Sequence, residues 1–293
     1  MSLRAHGFST FAGPWTRRIT RPLVITRYTL STVFSSRLFT IFFVACFLPS
    51  CLFLVSIYLR YKLDTLTGFF GLHWGPAEIR AAAGFLDDWL YYGIVGPSLW
   101  VTFLIVLVRG PALLGPDLKD NAMPLYLSRP VTKLQYLVGK LLVLLWLTAT
   151  VTWIPGLLLV FVNAYYAEDG WLLDNLSVPL GLVATCLVWS GCLSIIALAL
   201  SAWVRWRPAA TLGFLGLFVI GSAVGNLFRV TSGDWYGSLI ILWDAIEVVG
   251  RQLFGAKASD LMPLPWAWGT LAFATALAFW ALMRRIRAFE IVR

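Results

Sequence analysis

The side chains that most often do chemistry are few in this chain and poorly placed for it. Its two histidines, His6 and His73, are far apart and have no ligand-like companions, so the convergent donor set of a zinc site is missing. The four cysteines, Cys46, Cys51, Cys186 and Cys192, fall inside apolar runs without CxxC spacing, and they read as small packing residues. Asp87 and Asp88 come nearest to the paired acids of a hydrolytic site. No histidine accompanies them, and they read as the polar edge of an apolar segment. No GxxxxGK[ST] run occurs, and neither Lys119 nor Lys140 is preceded by the glycines that would cradle a phosphate. The sequence therefore offers no catalytic, metal-binding or cofactor-binding residue, and an enzyme is not expected.

The elements around these residues are mostly hydrocarbon. Of 293 residues, 59% are hydrophobic and 13% are charged, with a mean hydropathy of +0.80. A soluble domain is about 25% charged. A bilayer core about 30 Å thick takes roughly 20 apolar residues in a helix. Six segments meet that length: 38–59, 89–108, 141–165, 178–203, 208–228 and 265–283. Their long continuous runs exclude a spanning β-barrel, whose strands are about ten residues long and alternate in polarity. The expected fold is all-α, a polytopic membrane protein with a six-transmembrane-helix bundle at 38–283. A basic lead-in at 1–37 precedes it and a short tail at 284–293 follows it.

Charge sets the orientation. With the N-terminus inside, the inner segments hold Arg4, Arg17, Arg18, Arg21, Arg27, Arg37, Arg109, Lys119, Arg129, Lys133 and Lys140. They also hold Arg205, Arg207, Arg284, Arg285, Arg287 and Arg293, making 17 of the 23 basic residues. Of the 14 acids, the same side holds only Asp117, Asp120 and Glu290. This is the positive-inside pattern, and it predicts cytoplasmic N- and C-termini. It also accounts for the net charge of +9, which is placed to face anionic lipid. No basic block is interleaved with aromatics, so nucleic acid is not an expected partner. The first apolar run lacks a small-residue cleavage site after it and is expected to stay as an anchor.

Smaller features predict local structure. Pro22 can start a helix over 23–37, lying on the inner leaflet. Residues 238–254, SLIILWDAIEVVGRQLF, place Leu239, Leu242, Trp243, Ile246, Val249 and Leu253 at helical spacing. Asp244, Glu247 and Arg251 fall toward the other side. This predicts an amphipathic helix at the outer surface or a shallow re-entrant helix pair. Pro49, Gly96-Pro97 and Pro155-Gly156 predict kinks. Gly221 and Gly225 form a GxxxG pattern that suits close helix packing, including packing between subunits. The assignment leaves no Asp or Glu deep within a span, which argues against a proton-coupled carrier. Thr148, Thr150, Thr152, Asn163, Thr185, Ser190, Ser194 and Asn226 are the few polar groups available to line a pathway or to bond neighbouring helices.

One polar loop is too dense to be a tether. GPDLKDNAMPLYLSRPVTKLQYLVGK runs from Gly115 to Lys140, with breaks at Pro116, Pro124 and Pro130. Asp117 and Asp120 suit a short element with acids at its start. Thr132 and Gln135 have capping-box spacing, with Val131 and Tyr136 at the staple positions, so the third helix should begin near Thr132. Leu125, Tyr126 and Leu127 are apolar groups among basic ones, as in a docking patch.

The run DLKDNAMPLYLSRPVTKLQYLVGK resembles the cytoplasmic loop of permease subunits of ATP-binding-cassette (ABC) transporters, of the type-2 exporter class. RPLVITRYTLSTVFSSRLF resembles that family's lead-in to the first span, and MRRIRAFEIVR its basic end. The resemblance implies an exporter in a bacterial plasma (inner) membrane, working as a dimer with a second permease copy or homologue. It implies a partner ATPase subunit that carries the ATP and Mg. It implies that the loop couples the two, through Asp117, Leu118, Pro124, Leu125, Tyr126, Leu127, Ser128, Arg129 and Pro130. Of these, Arg129 is the expected charge contact and Tyr126 and Leu127 the apolar anchors. Two other classes fit the residues less well: a membrane scaffold or assembly factor with the same topology and no ATPase, and an integral lipid-modifying enzyme, which would need a catalytic set the chain does not offer.

Overall fold

The computed structural model describes residues 20–70, 89–115, 117, 132–167, 170–204, 206–232 and 235–287. The described residues are mostly helical, with no strand among them. Six helices are long and apolar enough to cross a membrane: Arg37–Tyr61, Tyr91–Ala112, Lys133–Tyr166, Ser177–Trp203, Arg207–Ser232 and Leu264–Arg285. We number them spans 1 to 6. The chain is an integral membrane protein.

Proline and glycine interrupt three of the spans at the places the sequence marks. Span 1 turns at Cys46 and Phe47, just before Pro49, between Arg37–Ala45 and Leu48–Phe70. A π-helical turn, Tyr91–Val95, precedes Gly96-Pro97. In span 3, Thr152 leaves helical geometry between Lys133–Val151 and Trp153–Tyr166. The ring of Pro155 removes the N–H that would otherwise close on residue 151.

Span 4 is the hub. Two-thirds (67%) of its most apolar stretch is buried, against 17% for spans 1 and 6 and 11% for span 5. It is apolar all round, as a central helix must be. Small residues on it, among them Gly181, Ser190, Ala197 and Ser201, are buried and let neighbours approach closely. Spans 1, 5 and 6 present Leu38, Ile41, Leu52, Leu212, Ile220, Leu227 and Phe273 outward, which suits surroundings of lipid.

The lead-in forms a helix, Arg21–Phe34. It ends two residues before the second helical segment begins, at Ser35 and Ser36. Its Pro22, Ile25 and Thr26 side packs on the first turns of span 3, while Leu23, Val24 and Tyr28 are exposed. Thr26 Oγ1 lies 2.9 Å from Pro22 O and 3.0 Å from Gly139 O. A Cβ at Gly139 would come within 3.0 Å of Pro22 O, so the glycine allows the two backbones to touch. Arg27 and Arg37 remain exposed.

Beyond span 5 the chain folds back into the bundle. A 3-10 turn, Trp235–Leu239, runs beside the end of span 5, and helix Leu242–Phe254 then packs along span 4. Trp243 sits 5.5 Å from Trp189, in the middle of span 4, and 4.2 Å from Trp100 in span 2. At the other end of this helix, Gly181 near the start of span 4 lies directly under Leu253 and Phe254. The segment is thus re-entrant, entering from the face opposite the basic side. Asp244, Glu247 and Arg251 lie on the side opposite the buried apolar face, as the helical spacing predicts. They are partly buried: Asp244 pairs with Arg229 at 3.2 Å and Glu247 with Arg251 at 3.2 Å. Ala245, Ile246, Val248 and Val249 are buried on one face of the helix. Spans 4 and 6 pack against the helix, and Gln252 remains exposed. Each carboxylate reaches this depth with an arginine beside it.

Candidate functional site

The loop that follows span 2 begins at a cluster of fixed contacts. At the end of the span, Gly110–Ala112 tighten into a 3-10 turn. A Cβ at Gly110 would lie 2.5 Å from Ala197 Cβ, so this turn rests on span 4. Ser201 of span 4 then holds the exiting chain. Its Oγ donates to Pro111 O at 2.7 Å and accepts from the backbone N–H groups of Leu114 at 3.1 Å and Gly115 at 2.9 Å. Leu113 and Leu114 are buried. Arg109 ties the same corner to the lead-in helix: its Nη2 donates to Val33 O at 2.9 Å, and its guanidinium lies 3.9 Å from the Phe39 ring centroid.

The loop's far root is equally fixed. Thr132 and Gln135 form the capping box: Thr132 Oγ1 accepts from Gln135 N at 3.3 Å, and Gln135 Oε1 accepts from Thr132 N at 3.0 Å. One turn on, Tyr136 and Lys140 lie on a single face of span 3. The Asp117 carboxylate accepts from the Tyr136 hydroxyl and pairs with Lys140 Nζ at 2.9 Å. Lys140 is 6% exposed. The two roots of the loop are therefore joined to each other as well as to the bundle.

Of the residues that the resemblance assigns to coupling, Asp117 is in this cluster, at the base of the loop. Leu118, Pro124, Leu125, Tyr126, Leu127, Ser128, Arg129 and Pro130 lie outside the described residues, as does Val131 of the expected staple. Three anchors carried no clear mark in the sequence. Ser201 is one small polar residue among many on span 4. Arg109 reads as a flanking positive charge. Lys140 reads as another, although Tyr136, four residues before it, is the hint that one face of span 3 meets something polar.

The other candidates fall elsewhere. Gly225 is buried against the chain's own re-entrant turn: a Cβ there would lie 2.6 Å from Gly237 O and 2.4 Å from Ile241 Cγ1. Gly221 makes ordinary contact with Ile240 O. The intramembrane hydroxyls are mostly spent within their own helices. Thr148, Thr150, Thr152 and Ser190 each donate to a carbonyl three or four residues earlier. Asn163 accepts across helices from Tyr61, and Asn226 accepts from Arg229. Thr185 Oγ1 and Ser194 Oγ are buried without a hydrogen-bond partner. Among the described residues, no three His, Cys, Asp or Glu side chains cluster as metal ligands.

Ser201→Ala tests the anchor on span 4. It leaves the Leu114 and Gly115 N–H groups without their acceptor in a buried corner, which costs about 1–3 kcal/mol. The thermal unfolding midpoint of the detergent-solubilised protein is expected to fall accordingly; an unchanged midpoint removes Ser201 from the account.

The chain matches no protein-family model, and no curated protein matches it.

Proposed function

We propose that the chain is the transmembrane permease subunit of an ATP-driven ABC transporter, an exporter coupled to a separate ATPase subunit through the loop between spans 2 and 3. What supports this most is that loop's double anchoring. Residues 118–131 leave from a corner bolted to span 4 by Ser201 and return into a capped helix start. Asp117 bridges the two roots through Tyr136 and Lys140. A push on such a loop moves spans 2, 3 and 4 together, because no slack separates them. A tether with free ends would absorb the same push.

In this reading the basic side is cytoplasmic, and Arg129, Tyr126 and Leu127 meet the ATPase. Nucleotide binding closes the ATPase pair and the permease halves rock in response. Binding and hydrolysis of ATP belong to the partner. The outward apolar faces of the peripheral spans leave room for lipid and for a second permease copy. The scarcity of uncommitted polar groups in the spans suits an apolar or amphipathic cargo.

The test is a mild-detergent pull-down from native membranes, with the wild type and Arg129→Glu in parallel, followed by mass spectrometry. Anchors in a docked interface carry about 1–2 kcal/mol or more each, so the reversal is expected to reduce ATPase recovery at least tenfold while the bundle stays folded. Full recovery with the variant removes Arg129 from the interface. A well-inserted wild type that recovers no ATPase in any of several detergents replaces the permease reading with that of a scaffold.

A further inference from the structure

A cleft of about 530 Å³ lies in the wall of the bundle that faces lipid. Spans 5 and 6 both rest on span 4 but scarcely touch each other. Span 4 therefore forms the back of the cleft, with Leu217 and Gly221 on one side and Phe273 and Ala274 on the other. The re-entrant segment closes one end with Leu239, Ile240 and Leu242. Trp203 closes the basic-side end, its Nε1 donating to Ala281 O at 3.2 Å. The open side faces the bilayer between spans 5 and 6.

We propose that this cleft holds one acyl chain of an anionic phospholipid from the leaflet on the basic side. The wall is hydrocarbon: its polar side chains are Ser222 and Thr270, and the Thr270 hydroxyl already donates to Trp266 O at 2.9 Å. Such a lining has nothing to offer a polar ligand. From Thr270 to Ala281 the cleft runs for three helical turns, about 16 Å at 1.5 Å per residue. That is about half of a hydrocarbon core roughly 30 Å thick, or the depth of one leaflet. The roof made by the re-entrant segment bars the opposite leaflet, so the chain must come from the basic side.

Charge at that end selects the headgroup. The Arg285 guanidinium lies 5.6 Å from the ring centroid of Trp203, which itself lines the cleft. The Arg284 guanidinium lies 5.2 Å from the Trp280 ring centroid. Two cations thus stand at the basic-side end of an apolar slot, as a tethered anion with a hydrocarbon tail requires. This inference does not depend on the transporter reading.

The test is native mass spectrometry of the full chain released from detergent, titrated separately with dioleoyl-phosphatidylglycerol and dioleoyl-phosphatidylcholine. A cation beside an anionic headgroup strengthens binding about fivefold. The wild type is expected to prefer phosphatidylglycerol by about twentyfold, and Arg284→Gln/Arg285→Gln to abolish most of that preference. Ala274→Phe fills the cleft from span 6 and Ser222→Phe from span 5; each is expected to weaken binding of both lipids at least tenfold. Equal binding of the two lipids by the wild type overturns the proposal. So does undiminished phosphatidylglycerol binding by both filled variants. A shift from dimer to monomer in the filled variants also overturns it, because the cleft would then be covered by a second copy of the chain.

Discussion

Asp117→Ala is expected to lower the stability of the bundle by about 3 kcal/mol. The carboxylate is 21% exposed, but the Lys140 side chain it neutralises is 7% exposed and sits at the start of a membrane span. Removing one member of a buried pair costs about 3–5 kcal/mol, because the remaining charge has lost both water and partner. The partial exposure of Asp117 moves the value to the lower end of that range. Removing both members is a different experiment. Asp117→Ala/Lys140→Met leaves no stranded charge, and methionine fills the volume of the lysine stem. The double variant is expected to recover most of the loss. A double-mutant cycle on unfolding midpoints in mild detergent reads this directly. A coupling below about 0.5 kcal/mol means that Asp117 and Lys140 do not hold the loop roots together.

The second large effect is steric. Gly181 is where the re-entrant helix meets span 4 backbone to backbone: a Cβ at this position would stand 2.0 Å from Leu253 O and 2.5 Å from Phe254 Cα. These are main-chain atoms and cannot rotate aside. Overpacking in a close-packed interior costs about 1–3 kcal/mol, and more when backbone must move. Gly181→Ala is expected to cost about 2 kcal/mol, and Gly181→Val enough to undock the re-entrant helix. Gly191 and Gly269 are the controls. A Cβ at either meets nothing within 4 Å, and alanine there gains helix propensity of up to about 1 kcal/mol. Unfolding midpoints of the four variants, with protease access to residues 235–254 as a local probe, separate the outcomes. A Gly181→Val protein as stable as Gly191→Ala would mean that the re-entrant helix does not rest on span 4.

These two sites differ in how far the sequence announces them. The spans are legible because twenty apolar residues in a row leave few alternatives. The breaks at Pro49, Pro97 and Pro155 are legible because proline acts on its own backbone. The Thr132–Gln135 box is legible because both partners lie within one turn. All of these are local signals. The pairing of Asp117 with Lys140 crosses the whole loop, and no period or spacing encodes it. The burial of Asp244 and Glu247 is hidden for a related reason. Helical spacing divides residues 238–254 into an apolar and a polar face, but it does not say that arginines partly cover the polar one. Arg229, fifteen positions earlier on another element, is what makes the depth tolerable for Asp244. Gly225 shows the converse. Its GxxxG spacing points to close packing, and close packing is found, but against a turn of the same chain. A small-residue motif marks a close approach without naming the partner.

The account turns on the loop between spans 2 and 3 meeting an ATPase, and a photoreactive phenylalanine analogue in place of Tyr126 tests that contact directly. Native membranes containing the variant are illuminated, and the crosslinked product is identified by mass spectrometry. The account predicts one dominant adduct with a chain that carries a phosphate-cradling GxxxxGK[ST] loop, reduced at least tenfold when Arg129→Glu is combined with it. Crosslinks only to lipid or to other parts of this chain, from a correctly inserted protein, would contradict it.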